Sequence, residues 1–124
     1  MKAFVMAETT KFGVYDQEDF SQKQVEEIPH CKNNGLQILF TGLSHDEKKL
    51  GFCLGKKKIK EETEISHIII YKRNQKNKFV QEIIRDFEFH DACIQFTFNK
   101  GNTNELLFFT MVELFRFDYT DINK

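Results

Sequence analysis

The stretch from Leu106 to Phe117 constrains this chain more than any other, because it reads as a β-strand that is apolar on both faces. Leu106, Phe108, Val112 and Leu114 fall on one side of such a strand, and Leu107, Phe109, Met111, Phe115 and Phe117 on the other. An antiparallel sheet with one wet face would spend that aromatic area on water. One side therefore needs a second cover: a helix, another sheet layer or a neighbouring subunit. Leu107, Phe109, Met111, Glu113, Phe115 and Phe117 are the candidate interface. Glu113 is its one acid, a rim position able to pair with a lysine across a subunit boundary.

Alternation with period two recurs upstream. Phe4 and Val5 read as part of a first strand, and Leu36 to Thr41 and Leu50 to Leu54 as a hairpin closed by the polar run Ser44 to Lys49. Gly51 and Gly55 inside the second of these strands suggest a bulge or a close backbone approach. In Ile65 to Tyr71, His67, Ile69 and Tyr71 face one way and Ile68 and Ile70 the other. Ala92 to Phe98 is a further strand, and Asn99 to Asn104 is its turn by composition. Residues 8–35 are polar and irregular, with turn signals at Gly13 and Asn33-Asn34-Gly35. Within them, Gln22 to Ile28 fits a short helix or an extended excursion, ended in either case by Pro29. One segment has helical spacing: Phe79, Val80, Ile83, Ile84 and Phe87, with Asn77 placed as N-cap, predict an α-helix over residues 78–87.

The expected fold is mainly β: a single domain over residues 1–124, a small antiparallel β-barrel or sandwich with that helix on its side. Fourteen phenylalanines against one proline argue for a folded chain and against disorder. Eighteen basic and nineteen acidic residues leave a net charge of −1, which supplies no field for a nucleic-acid backbone. The lysine runs at 48–49 and 56–58 are flanked by acids and read as solvated loops or edges. No apolar run reaches the length of a membrane helix, so no membrane insertion is expected. The amino-terminal apolar run is too short for a cleavable signal. The expected location is the cytoplasm, with export by a signal-independent machine left open.

Residues 65–122 resemble the Hcp family, the tube-forming proteins of bacterial type VI secretion. The likeness rests on Ser66-His67-Ile68-Ile69-Ile70-Tyr71, the polar turn Lys72 to Asn77, the helical segment Lys78 to Phe87, and the hairpin Ala92 to Phe98 with Glu105 to Leu114. The resemblance implies a β-barrel with one helix, assembly of six copies into a secreted ring, a lumen for small effectors, and contacts with other parts of a secretion apparatus. A ring of this kind uses one patch of each copy against a different patch of the next.

Chemical constellations are weak. His90 and Cys93 have an HxxC spacing, but three residues apart on a strand they lie on opposite faces, and zinc wants closely set ligand pairs on tight turns. Cys31, Cys53 and Cys93 form no CxxC motif or disulfide framework and are expected to be packed thiols. Asp86, Glu88, His90 and Asp91 form a polar cluster whose ordinary role is loop solvation, with acid–base chemistry as its rival reading. No glycine pattern cradles a phosphate. The expectation is an assembly protein without catalytic residues, metal or cofactor, self-associating through the Leu107–Phe117 face. Its alternative is a small binding module of immunity or adaptor type that engages a different protein through the same face.

Overall fold

A computed structural model describes residues 2–57, 63–89 and 95–121. Among these described residues, ten strands form three antiparallel sheets. The amino-terminal sheet holds β1 (Ala3–Glu8), β2 (Lys11–Asp16) and β3 (Gln22–Glu27). A helix of about a turn and a half, α1 (Pro29–Asn34), leads to the central sheet of β4 (Gln37–Leu43), β5 (Lys49–Lys57), β6 (Thr63–Arg73) and β7 (Phe79–Phe89). The carboxy-terminal sheet is β8 (Gln95–Asn99), β9 (Asn102–Phe109) and β10 (Leu114–Asp118), with β9 in the middle. The expectation of a mainly β fold with one short helix holds. The sheets are stacked as layers and do not close into one barrel.

The central sheet is covered on both faces. Leu50, Phe52, Leu54, Ile69, Tyr71 and Phe79 face the amino-terminal sheet and α1, where they meet Phe12, Val14, Ile28, Cys31 and Leu36. Cys53, Ile65, Ile68, Ile70 and Phe89 face the carboxy-terminal sheet, where they meet Phe96, Phe98, Leu106, Phe108 and Tyr119. Strands buried on two sides lose the apolar–polar alternation and become nearly continuous apolar runs, as Ile68-Ile69-Ile70-Tyr71 does here. The two faces read from Ile65 to Tyr71 are the two observed. Gly51 lets the carboxy-terminal layer approach closely: a Cβ there would lie 3.2 Å from Phe98 Cζ, and one on Gly42 3.1 Å from Phe96 Cζ. Gly55 sits where the β5–β6 register shifts, and a Cβ on it would lie 1.9 Å from the carbonyl oxygen of Glu64. Both roles foreseen for isolated glycines, bulge and close approach, are thus used.

The helix predicted over 78–87 is instead strand β7. It pairs with β6 along its length, with register shifts at Ile65/His67 and Ile70/Tyr71. Phe79 and Ile84 serve one core, and Ile83, Phe87 and Phe89 the other. A strand that feeds two cores and changes phase at bulges places apolar residues four and five apart, which imitates a helical stripe. Its β-branched and aromatic content fits the pleated solution. Asn77 does not cap a helix; it takes φ 59° in the turn between β6 and β7, where Asn74 Oδ1 accepts from the backbone of Lys76 and Lys78.

The 8–35 region is more regular than its polarity suggests. Gln22 to Glu27 takes the extended alternative and stops before Pro29, as expected. Pro29 then opens α1, in the first turn, where a missing N–H costs nothing. Gly35 at φ 65° ends α1, with Leu36 N donating to Cys31 O. The buried side chain of Gln24 joins the first two layers: its Nε2 donates to Phe79 O and its Oε1 accepts from Phe79 N, both at 2.8 Å. At the far end of the chain, buried Tyr119 donates from its hydroxyl to Thr103 O and accepts from Lys49 Nζ, each at 2.8 Å.

Replacing Gln24 by leucine keeps the volume but leaves the amide and carbonyl of Phe79 unpaired in a buried position. Thermal or urea unfolding of Gln24→Leu should show a loss of about 1–3 kcal/mol; an unchanged midpoint would mean that this bridge contributes nothing.

Candidate interaction surface

The predicted single strand Leu106–Phe117 is two strands. The chain reverses at Thr110–Glu113, so β10 returns along β9 with Leu114 opposite Phe109, Phe115 opposite Phe108 and Phe117 opposite Leu106. Thr110 builds the turn: its Oγ1 accepts from Val112 N and Glu113 N, and its backbone N–H donates to Glu113 O at 3.0 Å. Directly opposed residues share a face. Phe115 and Phe117 therefore join Leu106 and Phe108 on the inner side, where Phe115 packs 5.1 Å from Phe89 and Phe117 4.6 Å from Phe87 between ring centroids.

The six candidate interface residues are consequently split. Leu107 is half-buried on the outer side; Phe109 is exposed beside it; Met111 and Glu113 stand exposed in the turn; Phe115 and Phe117 turn inward. Two residues assigned to the opposite face, Val112 and Leu114, are exposed with them. The reversal carries no glycine, proline or asparagine, and a threonine turn inside an apolar run gives no compositional warning. The single usable signal was Glu113, an acid that no two-sided buried strand would accommodate without a partner.

What results is an apolar hairpin tip. Met111 is 84% exposed, Val112 86%, Leu114 51% and Phe109 37%. They are four of the eight large apolar side chains exposed among the described residues, gathered within six positions of the sequence. The opposite end of the same outer face is polar. Glu105 Oε1 accepts from Asn99 Nδ2 at 2.8 Å, Arg116 Nε at 3.0 Å and Arg116 Nη2 at 2.8 Å, which ties all three strands together. The hydrogen bond from Asn99, then that from Arg116, holds the Glu105 carboxyl below the usual carboxylate range. A polar clamp thus fixes β10 at one end and leaves the apolar tip projecting at the other.

Elsewhere, His67 sits on the β6 bulge with its Nδ1 2.8 Å from Ser66 Oγ and its Nε2 3.1 Å from Asp86 Oδ1. The Asp86 side chain is 93% exposed, so water screens it, and Ser66 Oγ also reaches Leu54 O at 3.4 Å. The network holds the bulge. His30 of α1 packs edge-on against His67, 4.6 Å between centroids. Asp86 and Glu88 are exposed positions of β7, while His90, Asp91 and Cys93 lie outside the described residues. Among the described residues no group of three or more His, Cys, Asp or Glu is arranged to hold a metal ion. Cys31 and Cys53 are buried in the two cores, and burial pushes the Cys31 thiol up to about 11. No helix of the described residues is long and apolar enough to cross a membrane.

Two outcomes follow from these environments. Because Glu105 has a lowered folded-state pKa, its clamp is at full strength above the ordinary carboxylate pKa, near 4, and is lost as pH falls through the folded value. Amide exchange of β10 should therefore quicken in acid before that of β6 does, and Glu105→Gln should remove that early step. In a Cys93→Ser background at neutral pH, Cys31 and Cys53 should react with a thiol reagent only as fast as the fold opens; prompt labelling of either in the native state would contradict their burial.

Neither a family model, a curated protein nor a solved structure matches this chain.

Proposed function

We propose that this chain is a non-enzymatic assembly domain that packs against another protein chain, in the first instance a second copy of itself, through the β9–β10 tip. The observation that supports the reading is the cluster of Phe109, Met111, Val112 and Leu114 in water at the end of a hairpin whose other end is clamped. Exposed apolar side chains gathered in one place mark contact sites, whereas scattered ones carry no such meaning. A rigid hairpin presents them with little ordering cost on binding. Glu113 in the turn offers a charge to a partner at the rim of the apolar centre.

The six-membered ring implied by the Hcp resemblance is one form that self-association would take. The resemblance assigns a helix to Lys78–Phe87, which is strand β7. The ring therefore draws its support from the exposed tip and not from that part of the likeness. The alternative is engagement of a different protein by the same tip, as in an adaptor or immunity protein. It is favoured by the small extent of the patch, since a lasting assembly generally buries about 800 Å² on each partner.

Light scattering coupled to size-exclusion chromatography separates these forms. A mass of about six protomers supports the ring, a dimer supports two-fold tip packing, and a monomer at high concentration leaves only the different partner. Met111 and Val112 stand in the turn away from both cores. The double substitution Met111→Glu/Val112→Glu should therefore change folding stability by no more than about 0.5 kcal/mol while dispersing any oligomer. An oligomer that survives this variant would place its interface elsewhere and sink the assignment of the tip.

A further inference from the structure

The amino-terminal sheet has an outer face that neither core uses. Cross-strand pairing sets its residues in rows: Phe4 beside Tyr15, then Met6, Gly13 and Val25, then Glu8, Lys11 and Glu27. Gly13 leaves the middle row without a central side chain. The Tyr15 ring leans over the gap, where a Cβ on Gly13 would lie 2.9 Å from Tyr15 Cε2. The result is an open groove of about 460 Å³ whose walls include Met6, Tyr15, Val25 and Gln22. Phe4 stacks on Tyr15 at 5.3 Å with an interplanar angle of 15°, and Phe20 meets Phe4 edge-on at 6.1 Å.

Phe20 is the informative member of this aromatic ridge. It is 70% exposed and adopts φ 59°, a conformation that costs a bulky side chain of order 1–3 kcal/mol. The loop holds it there, with Phe20 N donating to Asp16 O and Asp16 N to Ser21 O, both at 2.9 Å. A ring kept mostly in water at a strained position, with one edge-on contact to Phe4, gains little from folding. Together with Met6 and Val25, it makes this face a second apolar surface, separate from the β9–β10 tip.

We propose that this face binds an extended, proline-containing peptide that carries a basic residue. A polyproline II helix arrives already ordered, and an apolar groove walled by an aromatic ring, as Tyr15 walls this one, accepts its proline ridges at low entropic cost. The charge around the face selects a cationic ligand. Leaving aside Glu26, whose carboxylate accepts from Gln24 Nε2 on the other face, Glu8, Asp16, Glu18, Asp19 and Glu27 outnumber Lys2, Lys11 and Lys23 in residues 2–27, and Lys11 lies between Glu8, at 4.0 Å, and Glu27 across the sheet. Asp19 and Asp16 accept backbone hydrogen bonds from Ser21 and Glu18 within the loop that carries Phe20, which fixes acidic groups next to the ridge. The same acidic rim repels a nucleic-acid backbone, although stacked rings alone would suit bases.

The test is a titration of the full chain, labelled with nitrogen-15, with acetyl-Ala-Pro-Pro-Arg-Pro-Pro-Ala-amide and with the same peptide carrying Glu in place of Arg. The expected result is shifts confined to the amides around Met6, Gly13, Tyr15, Phe20 and Val25. Affinity should fall at least tenfold for the Glu peptide and at least tenfold for Tyr15→Ala. Should Tyr15→Ala not fold, Phe20→Ser, which alters only the loop ring, carries the same expectation. Absence of shifts at millimolar peptide, or equal binding of both peptides, would overturn the proposal. It would also fall if these amides shift with protein concentration alone and stop doing so in Met111→Glu/Val112→Glu. The tip of a second copy would then be the occupant.

Discussion

Two-sided burial of the central sheet is the constraint on which the rest depends. β5 and β6 present large apolar side chains in both directions, so neither could stand in a sheet with one wet face. Each direction needs its own cover, and the chain supplies one before the central sheet and one after it. The layers therefore stack in the order of the sequence, with the first and last sheets outside and the middle one inside. Each outer sheet is buried on one face only, and their free faces are where an apolar side chain can remain in water.

That division explains why the two candidate binding regions lie where they do. The inner faces are committed to packing, which leaves the outer face of β1–β3 and the β9–β10 tip as the places where sequence is not dictated by a core. Both carry apolar groups held by polar devices: the Asn99–Glu105–Arg116 clamp in one case and the hydrogen-bonded loop from Asp16 to Ser21 in the other. Fixed polar frames around exposed apolar groups are economical for binding, because little freedom remains to be lost on contact.

Much of the fold was legible where one strand serves one pair of faces. The alternation in Ile65–Tyr71, the turn at Ser44–Lys49 and the hairpin turn after Phe98 needed only the period of a strand and the chemistry of turns. Legibility failed in β7, where bulges shifted the phase and two cores drew on one strand, so Phe79, Ile83, Ile84 and Phe87 imitated a helix. It failed again at Thr110, which reverses the chain by a side-chain hydrogen bond that leaves no mark in composition. That second failure moved Phe115 and Phe117 from the candidate surface into the core and brought Val112 and Leu114 out. The double-sided apolarity of this region has a different cause from the second cover expected for it: the reversal puts Phe115 and Phe117 on the inner face beside β7 and leaves Phe109 and Leu114 exposed on the outer one.

Phe96 and Phe98 rest against Gly42 and Gly51 of the central sheet, two rings seated in two notches. Face-to-face sheets share no backbone hydrogen bonds, so apolar layers would otherwise glide over one another at small cost. Seated this way, the rings act as pegs that index one layer against the other, and sliding by a single residue would drive both into side chains. The carboxy-terminal hairpin is thereby aimed, not merely attached: the direction in which its tip projects is set by two missing side chains on a neighbouring layer.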